Sequence, residues 1–94
     1  SFRALFTKSP VKRTGRDRFI RNVLIAIGNS GDAALAAEAE RLIDDASPLV
    51  RGAAVWALSR LDPARLQVHA GKYKREADPA VREEWTSALD GATH

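Results

Sequence analysis

The stretch Ser47 to Leu61, SPLVRGAAVWALSRL, constrains this chain most, because as a helix it is apolar on nearly every side. Val50, Ala53, Ala54, Ala57, Leu58 and Leu61 form one broad face, and Leu49 and Trp56 carry it round one flank. Such a helix needs neighbours on both sides. Its start is well marked, since Ser47 suits the N-cap and Pro48 the first helical position, where a missing N–H costs nothing. Gly52 and Ser59 fall opposite the apolar face and leave a flat strip, with Arg51 beside it.

The neighbours are amphipathic segments on either side. The spacing predicts helices over 17–28, 33–44, 63–75 and 79–90 besides 48–61, about five in all. Ser9-Pro10 is expected to break the chain before the first of these, leaving Val11 to Gly15 as a loop that carries Lys12 and Arg13, with Arg16 just beyond. Asp17 is the expected N-cap, and Ile20, Val23, Leu24 and Ile27 the buried face that follows. Arg18, Arg21, Asn22, Ile25 and Asn29 recur along a second, polar stripe of that helix. Leu35, Ala39, Leu42 and Ile43 face inward from the next helix; Leu66, His69 or Ala70, Tyr73 and Ala77 from the fourth; Val81, Trp85, Ala88 and Leu89 from the last. Upstream, Phe2, Leu5 and Phe6 are apolar at helical spacing, and are expected to stick to a partner surface or a second copy.

Ninety-four residues, 45% of them hydrophobic, suit a single domain with a modest core. The absence of cysteine excludes a disulfide framework, a thiolate metal site and an iron–sulfur ligand set within these residues. No apolar run is long enough for a membrane span, and the chain reads as soluble. The net charge of +3 is unevenly placed, with seven Lys or Arg against one acid in residues 1–21 and eight against eleven in residues 22–94. A positive field at one end points to an anionic partner such as nucleic acid, with a solvated basic terminus as the plainer alternative.

Three segments repeat. Ser47-Pro48-Leu49-Val50-Arg51 recurs 31 residues later as Asp78-Pro79-Ala80-Val81-Arg82, and 30 residues earlier as Asp17-Arg18-Phe19-Ile20-Arg21. A period near 30, filled by two helices and short turns, indicates an all-α fold of the α-solenoid type rather than a closed bundle. The copies resemble HEAT-type repeats, particularly the short phycobilisome-lyase-like variety. In that arrangement the repeated arginine pairs with an acid before the next turn. Asp45 and Glu76 stand at matching positions, so Arg51 and Arg82 are read first as structural arginines.

The first copy is richer. SPVKRTGRDRFIRNVLIAIGNSGD, residues 9–32, and DASPLVRGAAVWAL, residues 45–58, resemble the carboxyl-terminal HEAT-like domain of epoxyqueuosine reductases. The resemblance covers about residues 2–61 and is merely HEAT-like beyond. It implies that residues 1–94 are one domain of a larger cytoplasmic oxidoreductase, which reduces epoxyqueuosine at the tRNA wobble position with cobalamin and two [4Fe–4S] clusters. The implied partners are tRNA and the cobalamin and iron–sulfur domains upstream. The sequence departs from that enzyme in having neither cluster cysteines nor a cobalamin region, so no catalysis and no cofactor are expected of this chain alone.

An RNA loop is held by phosphate contacts and by hydrogen bonds to splayed bases, which need guanidinium and amide groups presented together. Lys12, Arg13 and Arg16 from the expected loop, with Arg18, Arg21 and Asn22 from the stripe, are the candidate set for an anticodon stem-loop. Arg21 has a second reading, as the pairing arginine of its own repeat, and Asn22 and Asn29 as turn or cap residues. Lys72, Lys74 and Arg75 read as a solvated basic face, and Trp56 and Trp85 as core. His69 has no ligand partner at metal-binding spacing, and the adjacent acid pairs Asp44-Asp45 and Glu83-Glu84 do not form an acid–base pair. The alternative function is a HEAT-repeat protein-interaction module using a concave surface around Gly52, Val55 and Thr86.

Overall fold

The computed structural model describes residues 10–92, with side chains for residues 15–90; Phe2, Leu5, Phe6 and His94 lie outside the described residues. Among the described residues the fold is all-helical. In chain order the helices are α1 (Pro10–Ser30), α2 (Ala36–Leu42), α3 (Pro48–Leu61), α4 (Pro63–Val68) and α5 (Pro79–Ala92). Short 3-10 segments, Ala33–Leu35 and Ala70–Arg75, precede α2 and follow α4.

All four prolines open helices: Pro10, Pro48, Pro63 and Pro79. At the first position of a helix, proline lacks only an N–H that has no intrahelical acceptor, and its fixed φ suits the turn. The expected break at Pro10 is therefore a start. Val11 to Gly15 is helix, not loop, and Asp17 lies inside α1 rather than capping it. At its other end α1 continues through Asn29 and Ser30 and stops at Gly31, whose φ of +70° lies in the left-handed region that glycine enters without strain. Asp32 then accepts the Ala34 N–H at 2.9 Å and starts the next turn.

Asp62 and Asp78 cap α4 and α5 in the same way, through the N–H groups of Arg65 and of Ala80 and Val81. Ser47 stands at the N-cap of α3, yet its hydroxyl makes no cap bond. Instead its own N–H is held by Asp45 Oδ2 at 3.0 Å. The helix expected over 63–75 ends after Val68, where His69 leaves helical geometry and the chain tightens into the 3-10 turn containing Gly71.

α3 occupies the centre. α1 packs along one side of it and α5 along the other, while α2 and α4 cover its back. Arg16 near the start of α1 bonds Asp45 just before α3 while Gly28 near its end lies against Trp56, and Gly52 lies against Val81 and Glu84 while Trp56 and Ser59 neighbour Ser87 and Ala88 further along, so α1, α3 and α5 run in the same direction. Val50, Ala54, Val55, Ala57 and Leu58 of α3 are buried with Leu24, Ala36, Ala39, Leu66, Val81 and Trp85. Val55 was expected on an open concave surface; with helices on three sides of α3, it is enclosed. Val23, expected inside, is 40% exposed, and Phe19 is 69% exposed, because α1 is covered mainly on the side that meets α3. Ala77 is also exposed, in the link between the 3-10 turn and α5. At Gly28 an added Cβ would come within 2.5 Å of Trp56, so the absent side chain sets how closely α1 approaches α3. Among the described residues, no helix is long and apolar enough to cross a membrane.

Candidate nucleic-acid interface

Most of the arginines whose side chains are described are bonded within the fold. Arg51 donates through Nε and Nη2 to the two carboxylate oxygens of Glu76 at 2.8 and 2.9 Å, and through Nη1 to the carbonyls of Asp45 and Ala46, both at 3.0 Å. Arg82 repeats part of this pattern, donating to the Glu76 carbonyl at 3.0 Å, and its guanidinium lies 4.7 Å from the Tyr73 ring centroid. The acids repeat as well. Asp45 accepts the Ser47 N–H, and Glu76 the Asp78 N–H, each bracing the turn two residues on. The guanidinium groups hold both carboxyls below the usual carboxylate range, Arg16 acting on Asp45 and Arg51 on Glu76.

The six candidate RNA contacts therefore divide. Arg16 bonds Asp45 at 2.9 and 3.3 Å and Asp17 at 2.8 Å, so it takes the inter-repeat pairing that the aligned sequence assigns to Arg21. The exchange has a geometric cause. Packing of Gly28 on Trp56 fixes the axial position of α1 against α3, and at that position the side chain level with Asp45 comes from more than one turn before Arg21, on the part of the helix that runs back to Pro10. Arg21 is exposed instead, touching only Asn22 Oδ1 at 3.4 Å, and Arg18 and Asn22 beside it are exposed too. Arg18 makes no hydrogen bond or ion pair among the described residues. Lys12 and Arg13 stand on the first turns of α1 rather than on a loop, with their side chains outside the described residues.

Arg21 also forms one wall of a groove that runs between α1, α3 and α5, with a volume of about 460 Å³. Ile25 and Asn29 continue its α1 wall; Leu49, Gly52 and Trp56 form the floor on α3; Ala80 and Glu84 form the far wall on α5. Leu49 is 43% exposed there. Glu84 has no hydrogen-bond or ion-pair partner among the described residues, and burial pushes its carboxyl up, with the Glu83 charge adding to the shift. The sequence reading missed Glu84 and Leu49 as site residues. The signal was available in the repeat itself, since Ala80 and Glu84 stand 31 residues after Leu49 and Ala53.

Trp85 is core, at 2% exposure. Trp56 is only half-buried: its ring edge rests on Gly28, and Arg60 lies 5.3 Å from its centroid while donating to the Gly28 carbonyl at 3.1 Å. In the second basic cluster Lys72 is paired with Asp44 at 2.6 Å, and Lys74 and Arg75 are exposed. His69 bonds Glu40 at 2.8 Å across a span of 29 residues, an acid partner that local spacing did not reveal. Thr86 is exposed, with its hydroxyl donating to the Arg82 carbonyl. The sequence has no cysteine, so these residues do not supply the thiolates that ligate an iron–sulfur cluster. No family model, no curated protein and no solved structure matches this chain.

Proposed function

We propose that this chain is a HEAT-type helical-repeat module that binds the anticodon stem-loop of tRNA, as the non-catalytic domain of an epoxyqueuosine reductase. One observation carries the RNA reading. Arg18, Arg21 and Asn22 project together from α1 without a carboxylate partner among the described residues, on the helix whose first turns also carry Lys12 and Arg13, while Arg16, Arg41, Arg51, Arg65 and Lys72 are each committed to one; Lys74 and Arg75 are exposed as well but follow the Lys72–Asp44 pair. Guanidinium groups left exposed and unneutralised side by side suit phosphate, which accepts charge-assisted, paired hydrogen bonds. The repeated arginine–acid bonds at Asp45 and Glu76 support the helical-repeat assignment, because each ties one repeat to the turn of the next. The family reading rests on the sequence resemblance of residues 9–32 and 45–58.

The test is titration of a labelled anticodon stem-loop at two salt concentrations. Binding on the order of micromolar is expected, falling steeply with salt as phosphate contacts release counterions. Arg18→Ala and Arg21→Ala are each expected to lower the salt slope by about one. Arg16→Ala, which removes an arginine already spent on Asp45, changes the slope less. A flat salt response would refute RNA binding and favour the protein-interaction reading, with the apolar groove over Leu49 and Gly52 as its surface.

A further inference from the structure

The groove between α1, α3 and α5 is polarised across its width. Arg21 and Asn29 line the α1 wall and Glu84 the α5 wall, yet no ion pair joins Arg21 to Glu84. Between them the surface is apolar, formed by Ile25, Leu49 and Trp56. Gly52 lies under this space, and packing does not require it to be glycine. An added Cβ would meet only Glu84 Cγ at 3.8 Å and Val81 Cγ2 at 3.9 Å, ordinary contacts, whereas glycine inside a helix costs about 1 kcal/mol relative to alanine. Close helix approach explains Gly28. At Gly52 the missing side chain keeps a cavity open.

A ligand complementary to this lining has apolar surface in its middle, an anion at one end and N–H donors at the other. A free phosphate would meet the Glu84 carboxylate, and a purely apolar segment would leave Arg21 and Glu84 facing hydrocarbon. An unstacked nucleotide has all three features. Among the four bases, guanine alone presents two adjacent donor groups, N1–H and N2–H, on its Watson–Crick edge, and a carboxylate accepts such a pair with its two oxygens. We propose that this groove receives one unstacked guanine of the bound RNA, with its phosphate toward Arg18 and Arg21 and its Watson–Crick edge toward Glu84. The proposal rests on the RNA reading above and adds base selection to it. The volume of about 460 Å³ lies within the range of sites that enclose a small ligand.

The experiment replaces each loop guanine of an anticodon stem-loop in turn with inosine, which lacks only the 2-amino group, and measures affinity for the full chain by fluorescence anisotropy at fixed salt. One position is expected to lose about fivefold in affinity, and Glu84→Ala should abolish that difference between guanine and inosine. Gly52→Leu, which fills the groove from a position where a helical side chain fits, should weaken the unmodified stem-loop by about tenfold while its salt slope is retained. The inosine series uses the wild-type chain, so it does not depend on a variant folding. Salt-dependent binding that ignores every inosine and is unchanged by Gly52→Leu would overturn the groove assignment and leave the phosphate-binding reading standing. No binding by the wild-type chain would overturn both.

Discussion

Replacing Arg51 with alanine removes four hydrogen bonds between the turns that precede α3 and α5, two to the Glu76 carboxylate and one each to the carbonyls of Asp45 and Ala46. The Glu76 side chain is only 8% exposed and would keep only backbone N–H groups, that of Asp78 at 3.0 Å and that of Ala77, so its charge would be left poorly compensated. Breaking a fully buried pair from one side costs about 3–5 kcal/mol. Arg51 itself is 21% exposed, which admits some water, so the expected loss is about 2–3 kcal/mol. For a domain of this size that lowers the melting temperature by roughly 10–20 °C.

Arg16→Ala is the control. It removes a similar two-bond contact, to Asp45, together with the bond to Asp17, but from a side chain that is 51% exposed, where water replaces much of what is lost, so the expected loss is clearly the smaller of the two. Equilibrium urea unfolding at neutral pH, followed by circular dichroism, compares the two. Equal losses would refute the reasoning, because they would mean that burial of the pair does not set its worth. The acid branch supplies an independent check. Arg51 lowers the Glu76 pKa in the folded chain, so the stabilisation is fully present above the ordinary carboxylate range near pH 4 and is lost as pH falls below it. The wild-type and Arg51→Ala stability curves should therefore approach one another in acid.

Two glycines give opposite expectations. Gly28→Ala should destabilise by about 1 kcal/mol in the same urea assay, since overpacking against Trp56 outweighs the gain in helix propensity, and Gly28→Ala combined with Trp56→Ala should lose less than the two changes added separately. Gly15→Ala should stabilise by up to about 1 kcal/mol, because Gly15 lies inside α1 with nothing within 4 Å of its Cβ position; a loss there would indicate a loop in place of the helix. The RNA titrations of Arg18→Ala and Arg21→Ala, and the inosine series with Gly52→Leu, test the site as described above.

Much of the helical layout was legible because the signals are local. An aspartate followed by proline marked α4 and α5, serine followed by proline marked α3, and the apolar spacing of Val50, Ala54, Ala57 and Leu58 marked the centre of the core. The same rule was misapplied once, at Pro10, where Ser9-Pro10 followed by a dense run of cations and Gly15 reads as a loop. A helix there moves the basic residues from a flexible cluster onto a rigid rod, and so changes which of them act together. The split of 63–75 into α4 and a 3-10 turn was foreshadowed only by Gly71, since the apolar spacing continues across the break.

The starts of α3, α4 and α5, the segments too apolar to face water, and the recurrence of an arginine and an acid are all written in the order of residues, because backbone sterics, capping and periodicity act over a few positions. Which arginine meets which acid depends on how the helices pack. Asp45 takes Arg16 from α1 rather than Arg21 because the axial position of one helix against another is set by packing contacts such as Gly28 on Trp56, and a shift of one turn there changes every cross-helix partner. The groove arises in the same way. Arg21, Leu49 and Glu84 are far apart along the chain, and they face one cavity only because α1, α3 and α5 lie side by side in the same direction.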